Sequence, residues 1–246
     1  MTIPRQRYRD QVAALLDRVL GDQPLALDAA RDAVATALGG DHLVYVAGSG
    51  HSHLVAEEAF YRAGGIAAAQ AILDPDLMLH LGAERSTLLE REEGRAERIL
   101  ADYPVGAGDV VFIASNSGRN AYPIEMALAC KARGATTIAL TSLRHARSIT
   151  SRHQSGQLLY QVTDLVLDNG GEYGDAALSV GDNDTLMGPT STIAGVFILN
   201  AVLAEAVDQL SRNGVEVDVY QSANMQGAEA AAEEMIRRWQ SRIRGL

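Results

Sequence analysis

Two stretches of this chain combine hydroxyls, amides and glycine in a way that suits an anion. Ser115, Asn116, Ser117, Gly118 and Asn120 follow an apolar run at residues 110–114, and Gly48, Ser49, Gly50, His51 and Ser52 follow another at residues 43–47. Hydroxyl and amide N–H groups donate hydrogen bonds to oxyanions. Free backbone N–H groups at a helix start add about half a positive charge. Ser and Asn are also ordinary N-cap residues, so either stretch alone reads equally as a capped turn; two of them in one small domain favour a binding site. Neither has the lysine of a P-loop, and the first lacks the third glycine of a dinucleotide fingerprint. A phosphate monoester therefore fits better than a nucleotide triphosphate, and no cofactor is expected.

Proton transfer needs carboxylate or imidazole. The chain offers His51, His53, Glu57, Glu58, His80, Glu84, Glu90, Glu93 and Glu172. The residues expected to carry it are His80, which follows an apolar triplet in a polar connection, and Glu90, one helical turn after Ser86. A glutamate among this many charges is more often a solvated face, and a lone histidine more often a structural one. His51 and His53 bracket Ser52 but have no cysteine or clear third ligand nearby, so no metal is expected. Thr190 and Ser191 open an apolar helix and serve either as ligand contacts or as caps. Asn224, in Ser222-Ala223-Asn224, would close the pocket from the C-terminal side.

The elements that must hold these residues read as strand–turn–helix units. Helices are expected over residues 5–20, 25–38, 54–63, 84–101, 121–133, 190–210 and 228–243, from apolar residues at helical spacing. Strands are expected at 43–47, 66–71, 110–114, 135–141 and 164–167. Residues 142–153 read as a polar connection, and 171–189, rich in Gly and Asp, as irregular. Five strands interleaved with helices make a parallel α/β sheet whose strands are continuous apolar runs. Both hydroxyl-rich turns then fall at carboxyl ends of strands, where open α/β sheets bind ligands. The divisions expected are N-terminal helices at 1–40, a ligand-binding domain at 41–212, and a C-terminal loop and helix at 213–246 packed on that domain.

At 246 residues and 47% hydrophobic content, the chain can bury a core without disulfides, and its one cysteine, Cys130, reads as a packing thiol. A net charge of −10 argues against nucleic acid or anionic membrane as partner. It does not exclude an anionic substrate, which answers to local dipoles and arginines. No signal peptide is evident and no run of about 18 or more apolar residues occurs. A cytoplasmic protein without a spanning helix is expected.

The pair Gly48-x-Gly50-x-Ser52 and Ser115-x-Ser117-Gly118-x-Asn120, with Lys131-x-x-Gly134-Ala135-x-x-Ile138-Ala139-Leu140-Thr141 downstream, resembles the sugar isomerase (SIS) domain over roughly residues 30–210. Leu77-Met78-Leu79-His80 and Ser222-Ala223-Asn224 extend the likeness to the stand-alone branch labelled phosphosugar or phosphoheptose isomerase. The resemblance implies a three-layer flavodoxin-like fold with sheet order 2-1-3-4-5 and extra N- and C-terminal helices. It also implies a sugar phosphate ligand held by Gly48, Ser49, Gly50, His51, Ser52, Ser115, Asn116, Ser117, Gly118 and Asn120, and a homodimer or higher homo-oligomer joined through the leading helices. An aldose–ketose isomerase is the implied activity, with an amino-sugar-phosphate lyase or etherase, or a sensor without turnover, as the alternatives. The catalytic glutamate of phosphoheptose isomerase and of the etherase lies about three turns into the helix after the first turn. Arg62 stands there in this chain, and no histidine follows Thr192. The phosphate-binding roles therefore carry over and the catalytic ones do not.

Overall fold

The computed structural model describes residues 3–181, 185–222 and 229–246. Two helices, α1 (Pro4–Asp22) and α2 (Pro24–Gly39), precede the first strand, each with proline in its first turn. There proline's missing N–H removes no intrahelical bond. The chain continues through β1 (Val44–Gly48), α3 (His53–Ala59), β2 (Ala69–Ile72), α4 (Ala83–Leu89), α5 (Arg95–Leu100), β3 (Val110–Ala114), α6 (Ala121–Ala132), β4 (Thr136–Thr141), α7 (Leu143–Ala146), α8 (Leu159–Val162) and β5 (Leu165–Asp168). A hairpin, β6 (Leu178–Val180) with β7 (Thr185–Met187), leads to the long α9 (Ser191–Arg212) and then α10 (Glu229–Trp239). The five-stranded sheet has order β2-β1-β3-β4-β5, all parallel, which is the order the family resemblance implied.

Alternation along the strands builds one core on each face. Val44, Val46, Val110 and Phe112 point to the face covered by α1, α2 and α9. Tyr45, Ala47, Val111 and Ile113 point to the face covered by α5, α6 and α8. Burial of each larger apolar side chain contributes about 1.5–3 kcal/mol before ordering costs. α9 has the length and apolar composition of a membrane-spanning helix. In this fold Ala194, Ile198, Leu199, Val202 and Leu203 of α9 are buried in the first of these cores. Cys130 is fully buried against Met126, its Sγ 3.7 Å from the Met126 sulfur, and burial pushes its thiol up to about 12.

Several boundaries differ from the sequence reading for identifiable reasons. The helix expected over 54–63 ends at Ala59, because residues 64–67 leave it to pair antiparallel with 218–220: Gly64 N–H donates to Tyr220 O at 2.8 Å and Ala67 N–H to Asp218 O at 2.8 Å. The second strand accordingly starts at Ala69 rather than 66. The charged helix expected over 84–101 is two helices. Between them Gly94 N–H reaches both carboxylate oxygens of Glu125, at 2.8 Å each, instead of continuing a helix. Residues 142–153 contain α7, and the stretch 171–189 contains the β6–β7 hairpin. The last helix ends at Trp239, whose Nε1 donates to Asp218 at 2.8 Å. Asn224 lies outside the described residues.

Asp109 joins the start of β1 to the start of β3. Its Oδ1 accepts from Leu43 N–H at 2.9 Å and its Oδ2 from Gly106 N–H at 2.9 Å, and the residue is buried. Replacing it leaves one buried and one half-buried donor without acceptors. Asp109→Ala is expected to lower the unfolding free energy by about 2–4 kcal/mol, read from urea denaturation against wild type; a loss below about 0.5 kcal/mol would remove this anchor from the account.

Candidate functional site

The carboxyl ends of β1 and β3 open onto one cleft of about 300 Å³, lined among others by Ser49, Ser52, Glu90, Ser115, Asn116 and Ser117. The two hydroxyl-rich turns therefore face a common cavity. Beneath them Ser52, Ser115, Asn116, Asn169 and Ser191 enclose a further chamber of about 10 Å³, roughly the room of one water.

The turns have their shape because two positions exclude a side chain. A Cβ on Gly48 would stand 2.3 Å from the backbone oxygen of Ser52. Gly118 has φ +58°, and a Cβ there would lie 2.9 Å from Leu159 Cβ. Gly118 N–H donates to Ser115 Oγ at 3.2 Å, which leaves the Ser115 O–H free to donate elsewhere. The N–H groups of Asn116, Ser117, Arg119 and Asn120 have no acceptor among the described residues. Free N–H groups at the start of the twelve-residue α6 make this end of the cleft attractive to an anion. α3 is only seven residues long and ends well before Arg62, which instead pairs with Glu58.

Glu90 stands between the two turns. Ser49 Oγ donates to its Oε2 at 2.8 Å, and Asn120 Nδ2 donates to its Oε1. Its backbone is fixed as well: Glu90 N–H donates to Ser86 O at 3.0 Å, and Glu90 O accepts from Tyr122 N–H at 3.0 Å. Burial raises the Glu90 carboxyl above the usual range, opposed by the Ser49 hydrogen bond and by the charges of Arg91 and Arg152. Raised carboxylates in clefts are poised for acid–base work.

His80 is not in this cleft. A turn of 3-10 helix, Leu79–Leu81, carries it to the other side of the first turn, into a second cavity of about 330 Å³ with His51, His53 and Glu57. The pair His80–Glu90 expected from the sequence is therefore not brought together. His53 is buried, its Nδ1 3.4 Å from Glu57 Oε1 and its Nε2 without a partner among the described residues; burial holds its ring below the usual histidine value. Of the other carboxylates, Glu84 is exposed, Glu58 and Glu172 pair with Arg62 and Arg144, and Glu93 accepts from Gln154 N–H at 3.0 Å. Among the described residues, Glu93, Glu125 and His153 offer three ligand atoms within 4.8 Å of one another. Hydrogen bonds within the chain already engage all three.

Three cleft residues, His145, Gly174 and Asp175, went unnamed as site residues from the sequence, and two of them carry chemistry. His145 sits in α7, and its Nδ1 accepts from Gly174 N–H at 3.2 Å, which places the proton of the neutral ring on Nε2. Burial, then the charge of Arg119, lowers its pKa. Asp175 is the second. It holds a left-handed φ of +53°, and its carboxylate occupies the start of α9: Oδ1 accepts from Thr190 and Ser191 N–H at 2.9 and 3.0 Å, and Oδ2 from Ser191 Oγ at 2.6 Å. The positions at Thr190 and Ser191 read as ligand contacts thus already hold an internal anion.

This chain belongs to the SIS domain family, whose domain matches residues 7–142. The match takes in the N-terminal helices and both turns. Similar curated proteins include a UPF0309 protein of Geobacillus thermodenitrificans, 44% identical over 237 residues (96% of this chain and 95% of that one), and the UPF0309 protein ABC0887 of Shouchella clausii, 42% identical over 241 residues (97% of each). Among solved structures, a phosphoheptose isomerase from Francisella tularensis aligns with TM-score 0.54 and 17% identity over 85% of this chain and all (100%) of that one. The Vibrio vulnificus NanR protein complexed with ManNAc-6P aligns with TM-score 0.51 and 16% identity over 94% and 68%. These two share the fold.

The Glu90 environment sets a sign for pH dependence. A carboxyl raised on folding stabilises the folded state fully below its unfolded pKa, and that contribution is lost as pH rises through the folded value. Relative to Glu90→Gln, wild type is therefore expected to lose melting temperature as pH rises from about 4 to about 7. Parallel melting curves for the two proteins across that range would contradict the burial reading. At α9, Asp175→Ala is expected to cost about 1–2 kcal/mol of stability through the lost cap, with Asp175→Asn nearer wild type in the same thermal scans.

Proposed function

We propose that the cleft binds a sugar phosphate and that the protein interconverts its aldose and ketose forms. The observation that supports this most is the convergence of two hydroxyl-rich, glycine-shaped turns on one cavity with a half-buried carboxylate of raised pKa between them. The phosphoryl group is placed against Ser52, Ser115 and Ser117 and the free N–H groups before α6. The likeness in fold to a phosphoheptose isomerase and to a protein complexed with ManNAc-6P is consistent with that ligand class.

In this reading Glu90 removes the proton from the carbon next to the carbonyl and returns it to the neighbouring carbon. Ser49 and Asn120 hold the carboxylate in place. His145, neutral and with its proton on Nε2, donates to the carbonyl oxygen as negative charge builds there and recovers the proton from the adjoining hydroxyl. No proton is gained or lost over the cycle. His80, which lines the other cavity, has no part in it.

The test is turnover of a panel of hexose, hexosamine and heptose phosphates in deuterated water, followed by NMR. Isomerisation with deuterium entering at the exchanging carbon is expected. Tight binding with turnover of none would reduce the protein to a binder. Glu90→Gln is expected to lower kcat by about a hundredfold or more. The wild-type rate should fall on acidification with a midpoint above the usual glutamate value. Ser115→Ala and Ser117→Ala are each expected to weaken phosphate-ligand binding by about 1–3 kcal/mol in calorimetry; unchanged affinity in both would remove the second turn from the site.

A further inference from the structure

The rim of the cleft carries more positive charge than its carboxylates neutralise. Arg91 follows Glu90, and Arg119 precedes Asn120. Arg152 Nη1 donates to Asn120 Oδ1 at 3.2 Å, and Arg152 N–H donates to Arg119 O at 2.8 Å. Arg119 Nε is buried without a hydrogen-bond partner among the described residues. None of these three guanidiniums forms an ion pair with a carboxylate among the described residues, whereas Arg85, Arg95, Arg98, Arg133 and Arg144 each do. Slight desolvation of an otherwise exposed side chain, then the charges of Arg119 and Arg91, hold the Arg152 guanidinium below its usual value, with Glu90 opposing. Arg119 also acts on His145 of the cleft lining. A chain of net charge −10 that leaves Arg119 and Arg152 joined through their backbones, with Arg91 close enough to repel Arg152, accepts self-repulsion that a bound anion relieves. The serine-rich turns already answer one phosphoryl group.

We infer that Arg91, Arg119 and Arg152 form a second anion subsite on the rim, and that the sugar phosphate bound here carries a second acidic group, a carboxylate or a phosphoryl. This rests on the sugar-phosphate reading of the cleft. Guanidinium forks bind either group through paired N–H donors. Asn120 spans the two parts of the site: its Oδ1 accepts from Arg152 and its Nδ2 donates to Glu90.

The experiment is calorimetry with fructose 6-phosphate, fructose 1,6-bisphosphate and 6-phosphogluconate on wild type, on an Arg119→Gln/Arg152→Gln double variant and on Ser115→Ala. A ligand with the second acid is expected to bind wild type about tenfold or more tighter than fructose 6-phosphate. That advantage should shrink with added salt and vanish in the double glutamine variant. Ser115→Ala should weaken every ligand that binds. An advantage confined to the bisphosphate assigns a phosphoryl group, and one confined to 6-phosphogluconate assigns a carboxylate. Arg119→Lys/Arg152→Lys, which keeps the charge, should recover part of it, and melting curves check that each variant folds. Equal affinity for all three ligands, or an advantage that survives in the glutamine variant, overturns the second subsite and leaves the sugar-phosphate reading standing. Binding of none of the three removes both.

Discussion

Asn116 ties the carboxyl ends of three strands to one another, and the cleft depends on that tie. Its backbone oxygen accepts from Thr141 Oγ1 at 3.2 Å and from Ser142 N–H at 3.1 Å at the end of β4. Its side-chain oxygen accepts from Asn169 Nδ2 at 3.0 Å beyond β5. Asn169 in turn holds Gly171 N–H at 2.9 Å, and Ser142 Oγ donates to Gly171 O at 2.6 Å. The turn after β3 is thus braced by the two neighbouring strands, and the segment leading to Asp175 is braced by the same residues. Polar networks of this kind are stable only when every member is satisfied. Here the donors and acceptors named all find partners, so the N–H groups left free before α6 stand on a rigid frame.

Two carboxylates reach the cleft, and their surroundings give them different chemistry. Asp175 is consumed by three donors at the start of α9, where it stands at the positive end of the helix dipole. Glu90 has donors too, but burial outweighs them and favours its neutral form. The first carboxylate shapes a wall; the second is the one suited to exchanging a proton. The Gly-Asp sequence at 174–175 achieves this through two successive residues with positive φ, a conformation that folds the loop back over the end of the sheet.

The strands and the two turns were legible because each strand is a continuous apolar run ended by hydroxyls and glycine, a pattern that burial on both faces requires. Glu90 was legible as a candidate, and the structure sets it among the residues of both turns. His80 was misplaced because ten residues of separation do not say on which side of an intervening loop a side chain emerges; a single 3-10 turn decides that. Residues 84–101 looked like one helix because charge spacing continues through residues 90–94, while the break comes from Glu125, thirty-one positions after Gly94. Asp175 was hidden in a Gly/Asp-rich stretch with no periodicity. The short α3 likewise follows from a partner strand segment about 150 residues downstream, and no local pattern reports such a pairing.

The stretch from Gly48 to Ser52 is only one backbone thick where it passes between the two cavities. Ser49 and Ser52 show themselves on one side, and Gly50 and His51 on the other. A side chain at Gly48 would meet the Ser52 backbone, so the partition keeps this path only with glycine there. Any change of backbone in this partition therefore reshapes both compartments at once, the one that holds Glu90 and the one lined by His51, His53 and His80.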